Sequence, residues 1–218
     1  MRIKRIFMSL MGVIVCAVSV GSFKFASFGV DPFQTFMSGA DALIPIGFGT
    51  LYVIVNAVLL LFSLFFDKHY IGIATLINLF FLGYLVDVSL HVLQTLIPSP
   101  GIGMRCLFFL AGFLLLCLGS SLYMTADLGV STYDAIALIC SNKWKIGKFR
   151  TMRILTDCLC IIFGSCMFLC SGNSFHSIPA IVGVGTIITA FCMGPLIELF
   201  NKYVSIPMLT GNADGAPS

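Results

Sequence analysis

The sequence has few charged residues. They make up only 10% of the 218 residues, whereas hydrophobic residues make up 59%. A water-soluble domain of ordinary composition carries about 25% charged residues. The chain therefore lacks the polar surface that a soluble fold needs, and its composition predicts a protein embedded in a lipid bilayer.

Motifs of enzymes and of metal sites are also missing. The sequence contains no Gly-x-Ser-x-Gly, no His-Glu-x-x-His and no Walker loop. Its nine cysteines include no Cys-x-x-Cys pair, and its three histidines are scattered, so no zinc site or disulfide framework is predicted. We therefore expect a protein that is not an enzyme, has no metal site and needs no cofactor.

Long apolar runs are what the sequence does contain. Five of them carry no charge, at 6–23, 48–66, 70–86, 106–126 and 177–197, and a sixth, 151–172, is interrupted only by Arg153 and Asp157. Crossing a hydrocarbon core of about 30 Å takes roughly 20 apolar residues. Six membrane-spanning helices are therefore the minimum that the sequence predicts.

Basic residues cluster beside these runs. Arg2, Lys4 and Arg5 precede the first run, and five more lie in 143–153. Such clusters mark cytoplasmic loops of membrane proteins, which favours this interpretation over contact with nucleic acid. The pattern predicts cytoplasmic N- and C-termini, with the first run retained as a helix rather than cleaved as a signal.

The chain resembles itself. The motif at 29–34 (GVDPFQ) returns at 129–134 (GVSTYD), and 72–87 (GIATLINLFFLGYLVD) returns at 183–198 (GVGTIITAFCMGPLIE). A Pro- and Gly-rich linker at 97–103 separates the two copies. These matches predict one membrane domain of two tandem structural repeats, 1–97 and 104–204, followed by a flexible tail at 205–218.

Two segments are too short to span a membrane as ordinary helices. Segments 31–45 and 131–142 would be about 22 and 18 Å long, although both begin with helix-capping residues, Asp31 and Ser131. If they re-enter the membrane or lie at its surface, the protein has six spans and inverted repeats. If they cross, it has eight spans and parallel repeats. Charge does not distinguish the two models, and length favours six spans with two short re-entrant or interfacial helices.

Polar residues inside the apolar sequence are the candidates for a binding site. Such residues usually face the interior or a cavity, and transporters built from repeats bind solute where short helices of the two copies meet. The predicted substrate-binding residues are Gly29, Asp31, Gln34, Asn56, Gly129, Ser131, Asp134 and Asp157. Polar residues predicted at the repeat interface are Thr75, Asn78, Thr186 and Thr189.

Each candidate also has a simpler structural interpretation. Gln34 and Asp134 can cap their own helices. Asp157 follows Arg153 at the spacing of an ion pair within one helix. The threonines can form hydrogen bonds between helices, and the glycines can allow close packing.

Taken together, the two motif pairs resemble those of the YitT/YczE group of small bacterial multi-pass membrane proteins. The resemblance covers about residues 8–203, and the sequence departs from the pattern at Gln34, where an acid is usual, and at Thr132, where proline is usual. It implies a protein of the bacterial plasma (inner) membrane with a poorly defined, often transporter-like function, and it implies no particular substrate.

The sequence thus predicts a small-solute transporter or permease-like protein whose site lies at the repeat interface. The alternative is a non-transporting membrane scaffold or regulatory partner of another complex, with the basic segment 143–153 as its contact surface. Lipid and a small solute are the expected partners; a protein partner or homo-oligomer is left open. A water-accessible cavity between the halves, lined by Asn56, Asp134 and Asp157, would favour transport, whereas dry packing of these side chains against each other would favour the scaffold.

Overall fold

The computed structural model describes residues 2–44, 46 and 48–210, and this part of the chain is helical, without a strand. Two 3₁₀ turns, Lys68–Tyr70 and Phe175–Ala180, and two π-helical turns, Ile139–Lys143 and Asn201–Ser205, accompany the α-helices. The α-helices are α1 Arg2–Ala26, α2 Pro32–Leu43, α3 Phe48–Phe66, α4 Ile73–Leu96, α5 Ile102–Ala126, α6 Thr132–Leu138, α7 Phe149–Cys170, α8 Val184–Phe200 and α9 Ile206–Thr210.

Five helical segments among the described residues are long and apolar enough to cross a membrane. They are Ile3–Ala26, Ile73–Leu96, Ile102–Ala126, Phe149–Cys170 and Val184–Thr210. A shorter apolar helix, Thr50–Phe66, matches the remaining run of the sequence. Large apolar side chains such as Phe65 and Ile73 point outward, as expected for helices facing lipid. The predicted all-helical membrane fold is confirmed.

Helices α1 and α5 pack against each other along their length and run in opposite directions. In the first half of α1, a Cβ atom on Gly12 would lie 2.8 Å from the carbonyl oxygen of Gly119, in the second half of α5. Near the end of α1, the ring of Phe23 lies 5.3 Å from that of Phe109, in the first half of α5. Small residues allow this close approach of the two backbones.

Two other long helices flank this pair. Helix α1 also packs on α4, and α5 packs on α8. The short helices cross over to the other half of the chain, because α2 packs mainly on α7, and α6 packs on α3. At the α2–α7 crossing, a Cβ atom on Gly164 would lie 2.7 Å from the Thr35 carbonyl oxygen.

The loops that precede the two short helices are held by the N-termini of α8 and α4. The N–H of Gly185 donates to the Phe28 carbonyl at 2.9 Å, and the N–H of Ala74 donates to the Leu128 carbonyl at 3.1 Å. Both bonds satisfy helix N–H groups that have no partner in their own helix. This arrangement fixes where α2 and α6 begin.

The end of the described chain remains helical past the predicted start of the tail at 205. Ser205 is buried and hydrogen-bonded to Ser121 at 2.5 Å, and α9 follows. Packing on α5 thus extends the ordered helix through 206–210. The rest of the predicted flexible tail, 211–218, lies outside the described residues.

Candidate functional site

The N-termini of the two short helices meet in the interior of the protein. The ring of Phe33, in the first turn of α2, stacks on that of Tyr133, in the first turn of α6, with centroids 4.9 Å apart. Both rings are buried. Short helices of the two halves therefore point their first turns at one place.

Each of these helices is capped by its own polar residue. The Asp31 carboxylate accepts hydrogen bonds from the N–H groups of Phe33 and Gln34, at 3.1 and 3.2 Å. The Ser131 hydroxyl accepts a hydrogen bond from the N–H of Asp134 at 3.1 Å. The capping interpretation of Asp31 and Ser131 thus describes their local role.

A cavity of about 70 Å³ lies beside the stacked rings. Its wall combines side chains from both halves of the chain, with Phe33, Tyr52, Tyr123 and Tyr133 as its aromatic part. The predicted candidates that line it are Asp31, Gln34, Asn56, Asn78, Ser131 and Asp134.

A buried ionic cluster borders the cavity. The Arg153 guanidinium is ion-paired with Asp134, and its Nε lies 3.4 Å from a carboxylate oxygen of Asp157. Tyr133 lies under the guanidinium, 4.6 Å from it, and its hydroxyl donates to Asp157 at 2.5 Å. The Tyr123 hydroxyl donates to Asp134. Arg153 and Asp157 are only 4% and 0% exposed, so each charge depends on these partners.

The corresponding residues of the first half carry no charge. The sequence correspondence that pairs Asn56 with Asp157 also pairs Tyr52 with Arg153 and Gln34 with Asp134. Asn56 accepts a hydrogen bond from the Thr132 hydroxyl at 2.6 Å and donates to the Tyr52 carbonyl at 2.8 Å. At these positions the first half thus contributes neutral groups, and the second half contributes the ionic cluster.

The two predicted glycines do not line this cavity. A Cβ atom on Gly29 would lie 2.6 Å from the nitrogen of Gly183, and one on Gly129 would lie 2.5 Å from the nitrogen of Gly72. Both have positive φ angles, +98° and +106°, which favour glycine. Their role is therefore the close packing of the two loops, not contact with a solute in the cavity.

The remaining candidates lie around the site. Asp157 stands behind Tyr133 and Arg153 rather than in the cavity wall. The Thr75 hydroxyl donates to the Val130 carbonyl at 2.7 Å, which links the halves. The other two threonines form local hydrogen bonds around the first turns of α8 instead. The Thr186 hydroxyl donates to the Ile181 carbonyl, and the Thr189 hydroxyl donates to the carbonyls of Gly185 and Thr186.

Part of the site was not predicted from the sequence. Arg153 was expected only as the neighbour of Asp157, although its ion pair with Asp134 joins α7 to α6. The cavity tyrosines were not predicted, because aromatic residues are common in apolar helices. The detectable sign was the pair of opposite charges inside an otherwise apolar run.

A larger space of about 330 Å³ adjoins the cavity. Its wall includes Lys24 and Asp87, and it shares Gln34, Tyr52 and Leu82 with the cavity. These three side chains therefore stand between the interior cavity and a wider vestibule near the end of α1.

The apolar helices and the buried polar interior define a multi-pass membrane protein. The chain belongs to DUF6198, a family of unknown function, whose model matches residues 3–202.

Relatives extend this result without adding a function. The chain is 24% identical over 201 residues to the uncharacterized membrane protein YczE of Bacillus subtilis, covering 91% of this chain and 85% of YczE. It is 21% identical over 204 residues to the uncharacterized protein YyaS of Bacillus subtilis, covering 94% and 96% of the two chains. No solved structure matches the chain. The resemblance to the YczE group is confirmed.

Proposed function

We propose that the protein is a small-solute transporter of the bacterial plasma membrane and that the central cavity is its solute site. The observation that carries this proposal is the cavity itself, which lies where the first turns of α2 and α6 meet and is lined by polar side chains of both halves. Transporters built from repeats bind solute in such a place.

We further propose that the two halves are inverted structural repeats with three spans each. Helices α1 and α5 are the first helices of the two halves, each 25 residues long, and their contacts run antiparallel. Antiparallel first helices require an even number of crossings between them. Helices α3 and α4 provide two. Helix α2, with 12 residues and a length of about 18 Å, does not cross, so the chain returns after it to the side of the membrane where α1 ends.

The adjoining vestibule supports an access route. It opens near Lys24, at the end of α1, and reaches the cavity at Gln34 and Tyr52. With the basic N-terminus in the cytoplasm, this vestibule faces the outer side. Alternating access would then open a matching route on the cytoplasmic side.

The scaffold alternative has less support. Its contact surface was the basic segment 143–153, but Lys143 donates to the Phe66 carbonyl, and Trp144 packs on the ring of Phe66 at 5.1 Å. Arg153 is buried. Three residues of that segment are thus engaged within the chain, and a cavity among buried polar groups suits a solute better than a partner surface.

The test is uptake of a panel of labelled small metabolites and ions into proteoliposomes holding the purified protein. Gln34→Leu fills the cavity wall with an apolar side chain, whereas Gln94→Leu makes the same change at an exposed position of α4. We expect uptake by the wild type and by Gln94→Leu, and at least a tenfold loss in Gln34→Leu. Absence of uptake across the panel, or equal uptake by both variants, contradicts the proposal.

A further inference from the structure

We infer that the solute of the central cavity is a compact monovalent cation, an inference that rests on the transport function proposed above. Four observations carry it: the balance of charge around the cavity, the engagement of its guanidinium, the capping of its two helices, and the side-chain amides that face it without a partner among the described residues.

Negative charge exceeds positive charge at the site. Asp31 and Asp134 line the cavity with Arg153, and Asp157 is joined to it through Arg153 and Tyr133. The site therefore has three carboxylates and one guanidinium, so it is negative overall. Uncompensated charge inside a membrane protein is costly, so a cation in the cavity reduces this imbalance and an anion increases it.

The guanidinium has little room for an anionic solute. One side chain nitrogen pairs with Asp134, Nε faces Asp157, and Nη2 lies 3.6 Å from the sulfur of Met193. The ring of Tyr133 covers one face. An anion would have to displace a buried carboxylate, which would lose as much pairing as it gained.

The helix N-termini are also engaged. N–H groups at the start of a helix often bind anions, but those of Phe33 and Gln34 already donate to Asp31, and that of Asp134 donates to Ser131. Asp31 brings a negative charge with it and forms no ion pair within the described part of the chain.

Two carboxamides supply the remaining polar contacts. Gln34 and Asn78 line the cavity and are 6% and 8% exposed. Their side-chain amides form no hydrogen bond with the residues that the structure describes, although buried amides normally have partners. Their carbonyl oxygens, with the Asp31 carboxylate, can accept hydrogen bonds from an ammonium group and are hard oxygen ligands for a metal cation.

The size of the cavity limits the solute. A cavity needs roughly 10–15 Å³ to hold one buried water molecule. The central cavity, with about 70 Å³, therefore admits only a solute about as large as a few water molecules. Ammonium, methylammonium, sodium and potassium fit these limits, whereas choline does not.

The test measures binding separately from transport. The melting temperature of the purified full-length protein in detergent is titrated with the chlorides of ammonium, methylammonium, sodium and potassium, with choline chloride holding ionic strength constant. Choline formate serves as the compact anion. We expect a saturable rise with at least one compact cation and none with formate. Comparison of methylammonium with ammonium, sodium and potassium distinguishes an organic amine from an inorganic ion.

The matched variants are Asp31→Asn and Asp41→Asn, both on or beside α2. Asparagine is as good a helix cap as aspartate, so Asp31→Asn removes the charge while keeping the cap. We expect it to weaken cation binding by about tenfold or more, equal to about 1.4 kcal/mol, while Asp41→Asn binds like the wild type. A rise with formate alone, or unchanged binding by Asp31→Asn, overturns the inference.

The two proposals fail in different ways. Cation binding that depends on Asp31, without uptake of any solute into proteoliposomes, supports the cation site and contradicts transport. Uptake of an anionic solute that is lost in Gln34→Leu supports transport and overturns the cation site.

Discussion

At the scale of single residues, the interior depends on Arg153. Its guanidinium is the positive charge that both Asp134 and Asp157 face, and Tyr133 orders the cluster by contacting the guanidinium and donating to Asp157. Removing one member of a buried ion pair leaves the other charge without compensation, which typically costs about 3–5 kcal/mol. The stability of this protein is therefore sensitive to one arginine.

We predict that Arg153→Met lowers the free energy of unfolding by about 3–5 kcal/mol, because it leaves two buried carboxylates unpaired. Arg150→Met, one turn earlier on α7 at an exposed position, should change it by less than about 0.5 kcal/mol. Denaturant unfolding of the purified protein in detergent measures both. Equal stability of the two variants would contradict the assigned role of Arg153.

At the scale of elements, close crossings of helices determine where α2 lies. Gly164 of α7 is covered by the backbone of α2 at Thr35 and Phe36, and Gly39 of α2 lies against Gly164 in return. Small residues at such crossings bring two backbones together without strain. Since α2 carries Asp31, Phe33 and Gln34 at its start, this crossing also positions one wall of the cavity.

We predict opposite effects from the same substitution at two glycines. Gly164→Ala should destabilise the protein by about 1–3 kcal/mol, because the new Cβ atom would meet backbone atoms of α2 at 2.7 Å. Gly83→Ala in α4 should stabilise it by up to about 1 kcal/mol, because the new Cβ atom would meet open space and alanine favours helix. Thermal unfolding in detergent compares them, and a change of the same sign in both would contradict the packing argument.

At the scale of the whole molecule, the proposed inverted architecture places the connection after α3 and the linker before α5 on opposite sides of the membrane. Arg105, at the start of α5, donates to the carbonyl oxygens of Ala26 and Ser27 at the end of α1. These contacts put the linker on the side where α1 ends. A chain with eight crossings would exchange the two positions.

We predict that Ser99→Cys is labelled by a membrane-impermeant maleimide in intact cells, whereas Lys68→Cys is labelled only after the cells are opened. Both positions are exposed. The nine native cysteines are replaced beforehand, and the unsubstituted parent is the background control. The reverse labelling pattern would support eight crossings and contradict the inverted repeats.

Much of the site was visible in the sequence because burying a polar group in an apolar helix is costly, so each such group indicates a role. Asp31, Gln34, Asn56, Asn78, Ser131 and Asp134 were identified in this way and line one cavity. Gly29 and Gly129 were assigned to that site from their place in the motif. The structure instead gives them to loop packing, since their neighbours come from distant helices.

The sequence by itself determined that this protein is helical and membrane-embedded, because hydropathy and helix capping are local properties that a short window of residues expresses. Only the tertiary structure decided that α1 and α5 run antiparallel and that Arg153 of α7 pairs with Asp134 of α6. Those facts depend on which helix faces cross, and packing between distant segments, rather than any local pattern, selects the crossing.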